Sequence, residues 1–227
     1  MDPYYSRIEV SNSDLSWLQN QLHPREMPDP TNAYRFGSLI DAMITEPHRV
    51  NFITRRLDGD QFTPEEFEKA EQMKRAFLMD IECMEYMGMA FPQKEMAQRL
   101  ELNYKGIDFH LKMRCKWDLW FPLIRSGGDI KSTTATTQKQ FEDSIRYFDY
   151  DRQRAVYMTI ADAQRDVLIG ISKVNFKVFK VFINRNSELY HSGMQKFLHL
   201  AYQWNTLFGE DKSALRREEF NPTTIEA

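Results

Sequence analysis

Three residues near the middle of the chain have types that can hydrolyse a phosphodiester bond. Asp118, Asp129 and Lys131 supply two carboxylates and an ammonium. Because Asp129 and Lys131 are two residues apart, they point to the same face of a sheet if they lie on a β-strand. Hard divalent cations such as Mg²⁺ prefer oxygen ligands, usually carboxylates together with water and substrate phosphate. We therefore expect a Mg²⁺ or Mn²⁺ site formed by Asp118, Asp129 and the backbone carbonyl of Ile130.

The chemistry expected of this site is metal-assisted hydrolysis. A bound divalent cation lowers the pKa of a water molecule and neutralises charge on the scissile phosphate. Lys131 would orient the nucleophile or stabilise the charge of the transition state. The alternative interpretation is a hairpin whose Asp-x-Lys triplet is a surface ion pair, since such triplets arise often by chance. The flanking Gly127-Gly128 and Ser132-Thr133-Thr134 favour the catalytic interpretation.

The elements that would position these residues are strands. Apolar residues alternate with polar ones from Lys94 to Tyr104 and again from Ile107 to about Leu119, with a turn at Lys105-Gly106 between them. This pattern predicts a hairpin whose second strand carries Asp118. Three further strands are predicted, at Gly128 to Ser132, Asp166 to Lys173 and Lys177 to Ile183.

Helices are predicted on both sides of these strands. Capping residues and apolar spacing predict a short helix after Ser11, a helix from Ala33 to Thr45, a long helix from Pro64 to about Met89, a helix from Asp151 to Gln164 and a closing helix from about Ser187 to Phe208. The methionines of the long helix are interpreted as core residues. The order of elements predicts an α/β fold with a mixed central sheet flanked by helices.

Composition limits the possible functions. The 227 residues are 42% hydrophobic, which is enough for one domain at residues 31–208, with an N-terminal helical extension at 1–30 and a polar tail at 209–227. A net charge of -3 and a pI near 6.0 argue against a protein that coats nucleic acid, so any DNA contact must be local. Cys83 and Cys115 are interpreted as reduced structural residues. No export signal or long apolar run is visible, which predicts a cytoplasmic protein without contact to a membrane.

Around the acidic residues the sequence resembles a known nuclease superfamily. Asp118 followed by Gly127-Gly128-Asp129-Ile130-Lys131 is similar to the motif of the PD-(D/E)XK nucleases, over roughly Ser11 to Ile183. The resemblance implies a restriction-endonuclease-like core, made of a helix, three strands, a helix and a strand. Further segments resemble the branch that includes exonuclease VIII, RecB-like nucleases and lambda exonuclease.

One such segment is Gln153-Arg154-Ala155-Val156-Tyr157, which looks like the glutamine-x-x-x-tyrosine motif downstream of the catalytic lysine. Helical spacing puts Gln153 and Tyr157 on one face. The resemblance implies that they bind the DNA backbone or position the lysine. The alternative for Tyr157 is an ordinary core aromatic.

A second segment runs from Tyr34 to Pro47, where Gly37 precedes Asp41 by four residues. Relatives have a metal-binding histidine at the position of Asp41. Because aspartate suits Mg²⁺ or Mn²⁺ at least as well as imidazole does, Asp41 is predicted to be a metal ligand. The alternatives are a solvated helix residue and a loss of activity.

Basic residues share the strand face of Asp118. Lys112, Arg114 and Lys116 could form a local positive wall for DNA phosphates, or a solvated sheet face. Glu95 precedes the first strand and could contribute a further carboxylate.

Taken together, the resemblance implies a Mg²⁺- or Mn²⁺-dependent deoxyribonuclease, an exonuclease that acts on double-stranded DNA ends in phage or bacterial recombination. The implied partners are DNA, a single-strand annealing protein and further copies of the chain in a homo-oligomer. Two alternatives remain open. One is a nuclease fold kept as a DNA-binding or assembly module without turnover, and the other is a restriction or structure-specific endonuclease.

Overall fold

The computed structural model describes residues 3–24 and 29–215, and within them eight strands form two sheets. The small sheet contains β1 (Val50–Asn51), β2 (Arg56–Leu57) and β3 (Asp60–Gln61). The large sheet contains β4 (Phe91–Tyr104), β5 (Ile107–Phe121), β6 (Ser126–Thr133), β7 (Arg165–Ser172) and β8 (Val178–Asn184). Its order is β4-β5-β6-β7-β8, with β6 and β7 parallel and the other neighbours antiparallel. The predicted mixed sheet is confirmed.

Helices cover both faces of the large sheet. The described part of the chain contains α1 (Asn12–Leu22), α2 (Thr31–Thr45), α3 (Pro64–Met79), α4 (Ile81–Met89), α5 (Gln138–Tyr147), α6 (Tyr150–Ala161) and α7 (Glu188–Phe208). One core lies under α1, α6 and α7 around Trp117, Leu168 and Trp204. The other lies under α2 and α3 around Leu39 and Ile169. Alternate residues of β7 thus enter opposite cores, as expected for a strand covered on both sides.

The single long helix predicted from Pro64 to Met89 is wrong, because the chain breaks at Asp80. The Asp80 backbone is extended, and its carboxylate accepts a hydrogen bond from the Cys83 backbone N–H, which caps a new helix. Lys180 also binds the Asp80 carboxylate, at 2.6 Å. The interpretation of the methionines as core holds for Met73, which is buried. It is wrong for the exposed residues, which are Met79, Met84 and Met89.

The small sheet was missed by the sequence interpretation. Its second hairpin turns at Asp58-Gly59, a dipeptide that favours tight turns because both residues tolerate left-handed backbone, and Asp58 has φ +52°. The strands are only two residues long, so they show no alternation. The turn dipeptide was the available signal.

Described residues near both ends of the chain pair with the large sheet. β6 pairs with only a short stretch of β5. The rest of that edge of β5 pairs instead with residues near the two ends of the described chain. Val10 N–H donates to the Lys112 carbonyl at 2.8 Å, and Lys112 N–H donates to the Glu210 carbonyl at 2.7 Å. Residue 210, the second of the polar tail predicted at 209–227, is therefore paired with β5, and residues 216–227 of that tail lie outside the described part.

Across the described ranges, no helix combines the length and the apolar character that a membrane-spanning segment requires.

Candidate active site

The candidate site forms where β5 and β6 separate. The two strands pair only from Leu119↔Gly128 to Phe121↔Ser126. Asp118 is the first residue beyond this pairing, and its Oδ2 accepts a hydrogen bond from the Ile130 backbone N–H at 2.8 Å. A side-chain oxygen thus replaces the missing strand partner. This contact brings the Asp118 carboxylate next to the strand that carries the other predicted residues.

Asp129 and Lys131 lie on β6 and face the same side, as their spacing predicts. The Lys131 Nζ is 2.5 Å from Asp129 Oδ2. Asp129 is buried and Lys131 is partly buried. The charges of Asp129 and Asp118 raise the pKa of Lys131 against the lowering effect of burial, so its ammonium stays protonated near neutral pH.

Asp41 approaches this cluster from α2. Burial, followed by the negative charge of Asp129, raises the pKa of Asp41 to about 6. Burial, followed by the charges of Asp41 and Asp129, raises the pKa of Asp118 well above its usual range. The structure therefore brings Asp41, Asp118 and Asp129 close enough for each carboxylate to disfavour the charge of another. The solvated-residue alternative for Asp41 does not fit this environment.

The chemistry of these donors fits a hard divalent cation. Three carboxylates that repel one another at the end of a sheet would be stabilised by a bound cation, and the Ile130 carbonyl adds another oxygen. In residues 3–24 and 29–215, however, no three His, Cys, Asp or Glu side chains are already close enough to hold an ion. Asp129 is instead paired with two cations, since its Oδ2 is 2.5 Å from the Lys131 Nζ and its Oδ1 is 2.6 Å from the Arg154 Nη1.

Arg154 is a residue of this site that sequence reasoning missed. Its guanidinium is fully buried, with Nη1 2.6 Å from Asp129 Oδ1 and Nε 2.5 Å from Asp166 Oδ2. It lies over both the Trp117 and Tyr157 rings, 4.7 and 4.4 Å from their centroids. The buried carboxylates raise the pKa of Arg154. A signal was present, because Arg154 and Tyr157 are three residues apart and so share a helix face.

Gln93 was also missed. It lies on β4 opposite Asp118, between the paired residues Pro92 and Lys94, and its backbone is left-handed with φ +53°. Its Nε2 donates to Asp41 Oδ2 and to Thr45 Oγ1, both at 2.9 Å. A non-glycine residue in this conformation inside a strand is unusual and costs roughly 1–2 kcal/mol. Only Pro92, which interrupts strand pairing, hinted at an irregularity.

The predicted DNA-binding residues of α6 lie mostly inside the protein. Tyr157 contacts Trp117 edge-on, with ring centroids 5.3 Å apart, and burial raises its pKa well above the usual range. Tyr157 is half-buried and its ring lies under Arg154, and its contact with DNA stays a prediction. The Gln153 amide oxygen is buried and has no hydrogen-bond partner among the described residues. Its role stays a prediction.

The structure removes Arg114 from the predicted positive wall, whereas the contact of the half-exposed Lys112 with DNA stays a prediction. Arg114 is only 2% exposed, because its guanidinium binds the Arg7 and Glu9 carbonyls and lies over the Tyr4 ring. Lys112 is neutralised by Asp211 and Glu210, at 2.9 and 3.1 Å. Both lie where the chain ends cover β5.

The remaining basic residue of this strand, Lys116, lies opposite Glu95 in the sheet register, and its contact with DNA stays a prediction. Glu95 itself is exposed, and its carboxylate is 3.6 Å from Arg7 Nη1. The structure therefore places the suggested extra carboxylate in a surface ion pair.

Comparisons with known proteins agree with this geometry. The family model described as a PDDEXK-like domain of unknown function (DUF3799) matches residues 12–210. The crystal structure of a protein named "Putative exonuclease", from Eubacterium rectale, superposes with a TM-score of 0.60 at 16% identity, covering 100% of this chain and 91% of that one. This likeness shows a shared restriction-endonuclease-like fold and confirms the predicted fold class.

Two other solved structures are similar at lower scores. SSO0001 has a TM-score of 0.45 at 11% identity, covering 100% of this chain and 91% of that one. A phage related exonuclease from Haemophilus somnus has a TM-score of 0.42 at 12% identity, covering 87% of this chain and 93% of that one. No curated protein sequence matches the chain.

Proposed function

Because the chain belongs to the PDDEXK-like family whose model spans residues 12–210, we propose that it is a metal-dependent deoxyribonuclease. The observation that carries the proposal is the meeting of Asp118, Asp129 and Lys131 where β5 separates from β6. A purely structural cluster of this kind would be costly, since burial and mutual repulsion raise the pKa of Asp41 and Asp118. Such unfavourable groupings are typical of functional sites.

Asp118, Asp129, the Ile130 carbonyl and Asp41 are the groups that would hold Mg²⁺ or Mn²⁺. When bound, the ion supplies an acidified water and neutralises charge on the phosphate. Lys131 is protonated and partly buried, so it can donate hydrogen bonds to a phosphate oxygen and stabilise the charge that develops there. Arg154 holds Oδ1 of Asp129 independently of Lys131. The carboxylate therefore keeps its orientation when the ammonium turns toward a substrate.

Catalysis is tested with three variants at the site. Asp118→Asn, Asp129→Asn and Lys131→Ala should each abolish Mg²⁺-dependent cleavage of linear DNA. A matched control is Lys139→Ala, which removes an exposed lysine paired only with the neighbouring-turn residue Asp143. Retained turnover in Asp129→Asn would end the catalytic assignment. Metal binding by a wild-type protein that never cleaves DNA would instead favour the binding-module alternative.

The finer parts of the proposal are the substrate and its setting. We propose an exonuclease that acts on double-stranded DNA ends in the cytoplasm of a phage-infected or bacterial cell, together with a single-strand annealing protein and as a homo-oligomer. These proposals rest on the superfamily resemblance. A covalently closed circular duplex separates the modes, since an exonuclease leaves it intact and an endonuclease cuts it.

A further inference from the structure

A row of aromatic rings leads away from Lys131. The Lys131 Nζ is 5.1 Å from the centroid of the Tyr150 ring. The Tyr150 ring stacks on Phe148, with centroids 5.6 Å apart and planes inclined by 29°. Phe148 in turn meets Tyr147 edge-on, with centroids 4.8 Å apart. We refer to Tyr147, Phe148 and Tyr150 as the aromatic row.

The outer part of the aromatic row is open to solvent. Tyr147 is 63% exposed and Phe148 is 49% exposed, whereas Tyr150 is half-buried beside Lys131. Neighbouring exposed aromatic rings leave apolar area in contact with water, and covering that area is favourable. Such patches often mark binding surfaces. The row therefore connects the candidate catalytic lysine to the protein surface.

The connection that carries the aromatic row is fixed in position. Asp149 adopts a left-handed backbone with φ +55°, which turns the chain between α5 and α6. Its carboxylate is buried and lies 2.7 Å from the Lys196 Nζ, which also binds Asp151 at 2.9 Å. The rings on either side of Asp149 are thus held by an ion-pair network with α7. A surface fixed before binding loses less entropy when a ligand is bound.

A fourth aromatic residue flanks the site from the other side. Tyr34 is 72% exposed and lies on α2 seven residues before Asp41, which places both on the same face of that helix. Tyr34 is close enough to Tyr150 for its phenol to influence the pKa of Tyr150. The approach to Lys131 and Asp41 is therefore lined by aromatic rings from α2 and from the aromatic row.

We propose that the aromatic row binds unpaired DNA bases by stacking and so holds the strand whose phosphate reaches Lys131. The inference rests on the proposed nuclease function and narrows its substrate to DNA with unpaired nucleotides beside the site. Ring faces bind bases of any sequence, because every base has a π-face. Bases inside a duplex already stack on their neighbours, so the row takes only those that have left the helix.

Charge next to the aromatic row suits the same ligand. Arg146 precedes Tyr147, and its half-exposed guanidinium is 2.5 Å from the exposed Glu188 carboxylate. Exposed pairs of this kind contribute little to stability, so Arg146 can exchange Glu188 for a DNA phosphate at small cost. An aromatic surface with an adjacent exchangeable cation fits a polyanion that carries flat bases.

The test is a binding measurement without metal, so that no DNA is cut. Two labelled single strands of equal length are compared in EDTA, one with pyrimidine bases and one with an abasic backbone. The wild type should prefer the strand with bases at least about five-fold. Tyr147→Leu and Phe148→Leu should each remove most of this preference. Phe52→Leu, which changes an exposed phenylalanine outside the aromatic row, should keep it.

Two duplexes distinguish the source of the unpaired bases. A duplex with a non-complementary end should lose affinity in Phe148→Leu as the single strand does, while a blunt duplex should not. If Phe148→Leu loses affinity only for the free single strand, the ligand is that strand and not a frayed duplex end. Equal binding of abasic and base-bearing strands by the wild type overturns the proposal even if Mg²⁺-dependent cleavage is observed. If the base preference depends on the aromatic row but no cleavage is observed, the stacking proposal is supported. The proposed hydrolysis is then rejected.

Discussion

The two halves of the acidic cluster differ in how their charges are balanced. In one half, Asp129 and Asp166 share the fully buried guanidinium of Arg154, at 2.6 and 2.5 Å. In the other half, no cation among the described residues forms an ion pair with Asp41 or Asp118. Hydrogen bonds from Gln93 and from the Ile130 N–H hold their carboxylates, and the Lys131 charge only partly offsets the cost of ionising Asp118.

This difference indicates that the Arg154 half has a structural role and that the Asp41 half is the ligand-binding part. On the Arg154 side each carboxylate has an internal cation as its ion-pair partner, although burial still raises the pKa of Asp166. The carboxylates on the Asp41 side are unfavourable in their charged form, and a bound divalent cation would reverse that. The comparison predicts that the two halves respond in opposite ways to mutation, pH and metal.

The largest effect is expected from breaking the internal balance. Arg154→Met keeps an unbranched side chain against Trp117 and Tyr157 but leaves Asp129 and Asp166 buried without their cation. Removing one partner of a buried ion pair costs about 3–5 kcal/mol. Urea unfolding should show a loss of this size, against less than about 1 kcal/mol for the exposed Arg146→Met. Equal losses in the two variants would contradict the assignment of Arg154 as the internal cation.

The next effect concerns the pH dependence of the other half. The pKa of Asp41 is raised to about 6, whereas an unfolded aspartate titrates near 3.9. Between these values the folded state binds more protons than the unfolded one, so ionisation of Asp41 lowers stability as pH rises from about 4 to 6. The decrease is at most roughly 3 kcal/mol.

Denaturant unfolding at a series of pH values checks this sign. The wild type should lose more stability across that window than Asp41→Asn does, because the variant has no carboxyl to ionise there. Adding Mn²⁺ at pH 7 should raise the stability of the wild type more than that of Asp41→Asn. If wild type and variant show parallel pH profiles, Asp41 is not held in the raised-pKa environment.

A smaller effect should distinguish the two strand aspartates. From clustered carboxylates alone, one expects any neutral substitution to leave stability unchanged or higher. In the structure, unchanged or higher stability is expected only for Asp118→Asn. The asparagine oxygen can still accept a hydrogen bond from the Ile130 N–H. Asp129→Asn removes a charge that balances Arg154 and Lys131, and should cost about 1–3 kcal/mol. Thermal and urea unfolding at pH 7 compare the two, and the reverse order would refute the division of the cluster.

The sequence predicted the strand residues of the cluster better than the helix residue Arg154, for a physical reason. Asp118, Asp129 and Lys131 lie on strands with clear alternation, and the two-residue period places Asp129 beside Lys131 without knowledge of the tertiary structure. Arg154 comes from a helix that crosses the sheet. Its buried position depends on Asp166, which belongs to a different strand. Periodicity within one element does not reveal such pairs.

The same reasoning explains the errors in the fold. Helix α3 was predicted from its Thr63 capping box, which the structure contains, but its end depends on Asp80 meeting Lys180 of a distant strand. Arg114 is lost from the expected positive wall because Val10, from a distant part of the sequence, pairs with β5 there. The alternation correctly predicted a polar face, but long-range contacts decide which polar residues reach solvent.

The smallest expected effect is at Gln93, where backbone and side chain can be tested separately. Gln93→Ala keeps the left-handed backbone and removes the amide that donates to Asp41, so it should cost about 1 kcal/mol. Gln93→Gly removes the same amide but relieves a backbone cost of roughly 1 kcal/mol, so its unfolding free energy should stay near that of the wild type.

Metal affinity should not follow that difference in stability. Both Gln93 variants lack the donor that orients the Asp41 carboxylate, so calorimetric titration should show Mn²⁺ affinity falling several-fold and equally in both. Lys105→Gly is the matched control, because Lys105 has a similar φ of +51° in the hairpin turn of β4 and β5. It should gain stability and keep its Mn²⁺ affinity. If Gln93→Ala keeps the wild-type Mn²⁺ affinity, the amide does not position Asp41, because that variant has lost the amide and kept the left-handed backbone.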